Sequence, residues 1–392
     1  RRIGLVLALV RSVPGAEAGQ RAAPVQPARY AVVVGQNLSD RAGRDDLEFA
    51  DDDAVRIHLM LEQAGAISHL LVSKDAATQA LYPDVQPFGP PTRASLERAF
   101  AAVAAAMQEA PAAELIFFFS GHGNVERGQG TLVLEGGRLS RTGLARLLAA
   151  SPAEQVHVII DASRSYYMAF EKAPGGRRKP YRQPFVSFAE TGGAERTGFI
   201  LSTSADRRSH EWERYQAGVF SHEMISGVRG AADADCDGRV TYAEMGAFLQ
   251  TANEGIESPR LRPAYFVRPP GRFPGDMARV LLSWPERDDM LEVDVADLGH
   301  VYLEDARGRR ILDLHPDEAQ TFRLALPPGR PVFVRKAGGA QEWVVEGRGP
   351  VALSGLEHRP VAATGTKGAV ERALDRLFVL PFGRADVHAY LD

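Results

Sequence analysis

Five short apolar runs set the frame for this chain: YAVVVGQN (30–37), SHLLVS (68–73), AELIFFFSGHG (113–123), VHVIIDAS (156–163) and GFILSTSAD (198–206). Each is apolar at consecutive rather than alternate positions, which predicts strands covered on both faces. Stretches with helical spacing lie between them. EFADDDAVRIHLMLEQAG (48–65) repeats its apolar residues at helix intervals and closes on Gly65. PFGPPTRASLERAFAAVAAAM (87–107) offers Thr92 as an N-cap ahead of an Ala-rich helix, and LSRTGLARLLAAS (139–151) predicts another. Strands alternating with helices predict an α/β fold, a mostly parallel sheet sandwiched by helices. Reacting groups in such a sheet collect at the carboxyl ends of the strands. Two polar turns stand there: Ser120-Gly121-His122-Gly123 and Asp161-Ala162-Ser163-Arg164.

After about residue 275 the pattern changes. MLEVDVADLGHVYLEDARGRRILDL (290–314), TFRLALPPGRPVFVRKA (321–337) and EWVVEG (342–347) alternate and are broken by Gly and Pro, which predicts a small antiparallel β domain over 275–358. VRPPGRFPGD (267–276) reads as the linker into it. KGAVERALDRLF (367–378) reads as a late amphipathic helix in a C-terminal tail, 359–392. At the other end, Arg1 and Arg2 precede the apolar run Ile3–Val10, and Ala16-Glu17-Ala18 offers a small-x-small cleavage site. That shape predicts a signal peptide over 1–18, a linker over 19–28 and an exported protein. No later stretch reaches the roughly 20 apolar residues of a membrane span. The net charge of -4 argues against a nucleic-acid partner held by phosphate neutralisation. A single cysteine, Cys236, excludes an internal disulfide framework and a zinc site built on several cysteines.

A histidine at one strand end and a hydroxyl at the next make a dyad of base and attacking oxygen. Ser163 does not stand in a G-x-S-x-G elbow, which weighs against an α/β-hydrolase. FFFSGHG (117–123) followed by VIIDASRS (158–165) resembles the caspase-like cysteine peptidases, in their bacterial, metacaspase-like branch. AVVVGQN resembles that family's first strand, and ADDDAVRIHLMLEQAG (50–65) its acidic turn and helix. ILSTSADRRSHEW (200–212) resembles the strand bordering the substrate groove, and AGVFSHEMISGVRGAADADCDGRVTYAEM (217–245) the small-subunit-like region. The resemblance implies a caspase-like domain over 29–270 that acts on a peptide or protein substrate. It puts His122 on the general base, Gly123 on a backbone N–H that helps hold the oxyanion, and Ser163 on the nucleophile position. Asp161 falls on an acid that lines the primary specificity pocket and receives Arg or Lys, a bidentate match for a guanidinium. Ser202 and Glu211 fall along the substrate groove. The segment 171–198, with Arg177, Arg178 and Lys179, matches the place where the family is processed; by composition alone it is a surface loop.

The departure is Ser163, where the family has Cys. A thiol with pKa near 8.5 is readily drawn to thiolate by a histidine, whereas a hydroxyl needs base, orienting acid and oxyanion hole together. The resemblance therefore implies an inactive chain with specificity for Arg or Lys, either a natural pseudopeptidase or a Cys-to-Ser form. Two other readings stay open. One is a non-catalytic peptide- or partner-binding protein with the β domain as its interaction module. The other is an active serine hydrolase, which requires a carboxylate behind His122.

DADCDGRVTYAE (233–244) carries the spacing of a twelve-residue Ca2+ loop. Asp233, Asp235 and Asp237 stand at positions one, three and five, and Gly238 at six. Arg239 would give its carbonyl at seven, Thr241 stands at nine and Glu244 at twelve. The alternative is an acidic turn that caps a helix starting at Thr241 and holds no ion.

Overall fold

A computed structural model of the chain describes residues 27–110, 112–169, 195–202, 211–258, 262–272, 275–285, 290–294, 298–317, 321–339, 341–347, 350–361 and 373–392. The expected signal peptide and the basic stretch Arg177 to Lys179 lie outside the described residues.

Strand β1 (Ala28–Gln36) is followed by α1 (Ala50–Gln63), β2 (Ile67–Leu71), α2 (Ala76–Leu81), α3 (Arg93–Met107) and β3 (Ala113–Gly121). Next come β4 (Gly123–Glu126), β5 (Gln129–Leu134) and β6 (Gly137–Ser140), a small antiparallel sheet of their own. They lead to α4 (Arg141–Ala149), β7 (Gln155–Ala162), the short α5 (Tyr166–Ala169) and β8 (Thr197–Ser202). The pair β9 (Glu211–Trp212) and β10 (Ala217–Gly218) enters α6 (Val219–Ser226). Then follow β11 (Arg239–Thr241), α7 (Tyr242–Glu254) and β12 (Tyr265–Arg268). The main sheet has the order β12-β8-β7-β3-β1-β2. Its pairs are parallel except β12, which runs antiparallel to β8.

The continuous apolar runs are explained by the two layers that cover this sheet. Successive strand residues point to opposite faces. Phe117, Phe119, Val158 and Ile160 pack with Leu96, Phe100 and Val103 of α3 and Leu144 and Leu148 of α4. Val33, Phe118, Ile159 and Ile200 pack in the other layer with Val55 and Met60 of α1, Phe220 and Met224 of α6, and Phe248 of α7.

The second layer continues into the C-terminal strands: β13 (Val280–Ser283), β14 (Met290–Val293), β15 (Val301–Asp305), β16 (Arg310–Leu314), β17 (Phe322–Ala325), β18 (Val332–Lys336), β19 (Gln341–Val345), β20 (Val351–Ala352) and β21 (His358–Pro360). Five of them form an antiparallel sheet in the order β16-β15-β18-β19-β21. Leu291, Val301, Leu312, Phe322 and Val334 belong to the same apolar cluster as α1 and α6. The core therefore crosses the boundary expected near residue 275. The segment expected as a linker also starts inside a strand: Val267 and Arg268 pair with Ile200 and Phe199. The first half of the helix expected at 367–378, residues 367–372, lies outside the described residues, and a helix not anticipated, α8 (Arg384–Leu391), ends the chain. Among the described residues no helix is long and apolar enough to cross a membrane.

Thr92 caps α3 as its position suggests, with Oγ1 accepting the Ser95 amide at 3.2 Å. Thr92→Ala should lower the unfolding free energy by about 1 kcal/mol, and Thr92→Ser should keep most of it. Urea denaturation midpoints check both.

Candidate active site

The register of β3 on β7 sets Ser120 opposite Asp161 and Gly121 opposite Ala162. His122 and Ser163 are thus the next residue along two adjacent parallel strands. Their turns touch: a Cβ on Gly123 would collide with the Ser163 carbonyl oxygen, so the approach needs glycine. Both His122 and Ser163 are buried. Neither ring nitrogen of His122 is hydrogen-bonded among the described residues, although the Asp45 carbonyl lies where it favours the ring proton. Burial, helped by Arg44, pushes the imidazole down to about 4. No described carboxylate hydrogen-bonds the ring, so the acid that a serine triad requires is missing here.

Beside these turns lies a pair of buried carboxylates. Asp161 Oδ2 accepts from the Ser221 amide at 3.2 Å and from Ser221 Oγ at 2.7 Å. Asp53, in the first turn of α1, accepts from Ser120 Oγ at 3.0 Å and from the Gly218 amide at 3.2 Å. Gly218 stands between the two acids: a Cβ there would lie 2.7 Å from Asp161 Oδ2 and 2.9 Å from Asp53 Oδ2. Burial and the neighbouring Asp161 push the Asp53 carboxyl well up. Burial also raises Asp161, to about 6, against the pull of the two Ser221 hydrogen bonds.

Glu211 adds negative charge to this end of the sheet and is itself raised by burial. Its carboxylate accepts the Phe49 amide at 2.8 Å and the Glu48 amide at 3.1 Å, which ties β9 to the start of α1. Ser202 ends β8, and its carbonyl accepts from Ser165 Oγ, joining the turn after β7 to β8.

Asp53 and Ser120 are site residues that the sequence reading did not single out. Asp51, Asp52 and Asp53 stand in a row, and spacing alone does not rank them. Asp51 accepts from the Asn37 side chain and the Asp75 amide, and Asp52 accepts from Thr78 Oγ1. Only Asp53 of the three hydrogen-bonds to the strand-end residue Ser120.

In the acidic loop, ligand oxygens of Asp233, Asp235 and Asp237 lie within 4.8 Å of one another. Asp233 accepts the amides of Asp237 at 3.1 Å and Gly238 at 2.9 Å. Arg239 opens β11, which pairs with β13. Glu244 and Thr241 form a reciprocal capping box at the start of α7. Glu244 Oε2 accepts the Thr241 amide at 2.8 Å, and Oε1 accepts the Ala234 amide at 3.0 Å. The three aspartates are brought together, while Glu244 is engaged with the N-cap of its own helix through Oε2 and with the loop amide of Ala234 through Oε1.

The family profile described as the caspase domain matches residues 28–258, more than half of the chain. This chain belongs to the caspase-domain family. Among solved structures it is similar to caspase-1 from Spodoptera frugiperda, at 12% identity and a TM-score of 0.40, over 65% of this chain and 88% of that one. No curated protein matches it. The caspase domain ends ahead of β12, so the C-terminal sheets lie beyond the matched residues.

Asp161 gives the site a pH signature. An unfolded Asp titrates near 3.9, and Asp161 in the fold titrates at about 6. Between those values the native state keeps a proton that the unfolded state has lost. The stabilisation is complete below pH 4 and is lost as pH rises through about 6. Asp161→Asn, which mimics the protonated form, should therefore gain on the parent by roughly 2–3 kcal/mol between pH 4 and pH 7. Unfolding curves across that range measure it, and a constant difference would show that Asp161 does not titrate there.

Proposed function

We propose that this caspase-domain chain recognises Arg or Lys side chains in peptide or protein substrates and, with Ser163 at the nucleophile position, binds them without cutting. The observation that carries this reading is the pair Asp53 and Asp161 on either side of Gly218, next to the strand ends that bear His122 and Ser163. Two buried carboxylates repel each other and resist ionising. A guanidinium or ammonium relieves both effects, whereas an acidic side chain adds a third negative charge. The carbonyl after the basic residue then comes to the His122–Ser163 turns. A nucleophile there has to attack the carbonyl carbon and hand its proton to His122, which passes it to the leaving amine.

The same geometry argues for silence with serine. A thiol gives up its proton readily at neutral pH, and a hydroxyl does not. An imidazole pushed down to about 4 is a weak base, and no described carboxylate orients it. The active serine hydrolase reading therefore finds no support among the described residues.

The parent and Ser163→Cys should be compared on peptides ending in Arg, Lys, Asp and a neutral residue. The thiol variant should cleave after Arg and Lys, and the parent should be slower by about a thousandfold or more. Asp161→Ala in the thiol background should cost on the order of a hundredfold on Arg peptides and far less on neutral ones. A preference for Asp would remove the acidic pocket from this role. A thiol variant that binds Arg peptides but cuts nothing would mark a binding protein whatever stands at position 163.

We further propose that the loop from Asp233 to Glu244 takes calcium. Support comes from the three aspartates that converge within 4.8 Å, hard oxygen donors of the kind calcium prefers. Glu244 would have to leave its capping box to serve as a ligand, so the ion and the start of α7 compete for it. Calcium in excess should raise the melting temperature by mass action, and Asp235→Asn should abolish the rise. Identical calorimetric transitions in calcium and in chelator would leave the loop as a helix cap alone.

A further inference from the structure

Two helices that frame the acidic pair lean on one strand of the C-terminal region: α1, which carries Asp53, and α6, whose Ser221 donates to Asp161 in β7. Asp53 sits in the first turn of α1. One turn on, Arg56 Nη2 donates to the Arg310 carbonyl of β16 at 2.9 Å and to the Ile311 carbonyl at 3.5 Å. Ser221, which supplies both donors to Asp161, sits in the first turn of α6. The next residue, His222, meets Asp313 of β16 through Nε2 at 2.7 Å and Arg56 through Nδ1 at 3.3 Å. Ser226 closes the contact, with Oγ accepting the Asp313 amide at 3.0 Å and donating to the His222 carbonyl at 2.8 Å.

The partners settle the state of His222. A guanidinium only donates, so Nδ1 accepts and Nε2 carries the proton toward Asp313. Burial keeps the ring neutral, as its fall to about 4 indicates. Tyr215 stacks on the ring at 3.9 Å. Asp313 is fully buried and also receives His300 and the Arg310 fork.

We propose that β16 is a positioning element of the acidic pocket: through Asp313 and His222 on one helix and Arg56 on the other, it fixes the spacing of Asp161 and Asp53. The start of α6 brings the Gly218 amide to Asp53 on α1 and Ser221 to Asp161, so the way α6 sits against α1 sets the donors of both acids. The strand fixes that placement by holding the residue next to Ser221 and the residue one turn beyond Asp53. His222 is a positioning residue, since it acts through Ser221. β16 lies beyond the matched caspase domain, so on this view the pocket of this chain is completed by its C-terminal region.

The inference rests on the pocket reading above, and the test separates the two. Amide exchange of Ser221 and Gly218, followed by NMR in the full chain, reports on the acids' own donors. Calorimetric titration with arginine amide reports on the pocket. His222→Ala should speed Ser221 exchange on the order of tenfold, leave Val33 of β1 unchanged and weaken arginine amide binding on the order of tenfold. His222→Gln, which keeps an N–H for Asp313, should restore both. Should the alanine variant not fold, Arg56→Lys carries the test, because it keeps the charge and loses the reach to β16; Gly218 exchange should then rise. Faster exchange in a chain whose parent binds no arginine amide supports the positioning role and overturns the pocket reading. A lower melting temperature with exchange and binding both unchanged overturns the positioning role.

Discussion

Two buried carboxylates on either side of one glycine, Gly218, are the constraint around which this end of the fold is arranged. Asp161 lies close enough to Asp53 to raise its cost of ionisation, and both are out of water. A dry site makes that repulsion large unless donors surround the charge. Four donors do so: Ser120 Oγ and the Gly218 amide for Asp53, and the Ser221 amide and hydroxyl for Asp161. Each donor depends on a different part of the architecture. Ser120 is there because β3 pairs with β7 in this register. Gly218 and Ser221 are there because β10 turns directly into α6. The absence of a side chain at Gly218 lets both acids close on it, where a Cβ would collide with each.

On the proposed reading, recognition and bond cleavage are separable in this arrangement. The donors to the two acids come from β3, β10 and α6, and none of them is Ser163 or His122. Replacing a thiol by a hydroxyl at the end of β7 changes the nucleophile and leaves the acidic pair intact. The demands on the two halves also differ. Binding a cation needs only negative charge at the right spacing. Attack by a hydroxyl needs a base that can take a reluctant proton, and no described carboxylate hydrogen-bonds the buried His122.

The sheet was legible in the sequence because double-sided burial writes itself as unbroken apolar runs, as in Leu115 to Phe119. The cap at Thr92 was legible for the same local reason. β12 was not, because Tyr265 to Arg268 is short and runs into prolines, and it becomes a strand only by pairing with β8. The hairpins β4 to β6 were also missed; each strand is only four to six residues long, and outside Leu132 to Leu134 their apolar residues stand singly. Among site residues, the strand-end turns could be read from local pattern, whereas Asp53 could not be separated from its two acidic neighbours without the register that faces it to Ser120. Spacing in the acidic loop fitted an ion and a capping box equally well, since Glu244 serves either. Asp313 misleads most. In ILDL an alternating pattern points the acid to solvent, yet it is fully buried, because Arg310, His222 and His300 supply the partners that water would have supplied.

That cluster also bears on why the C-terminal region shares a core with the caspase domain. A buried Arg–Asp pair adds little net stability over apolar packing of the same volume. Leu or Met at 310 and 313 would fill the space against Tyr215 and Tyr302 equally well. They would leave His222 Nε2 without an acceptor in a site closed to water. A hydrogen-bonded network has direction, which apolar packing lacks: Asp313 accepts along defined lines from α6 and from its own sheet, and Arg56 spans from α1 to the same strand. Apolar contacts fasten β16 to the domain, and the polar network sets the angle at which α6 presents Ser221 to Asp161.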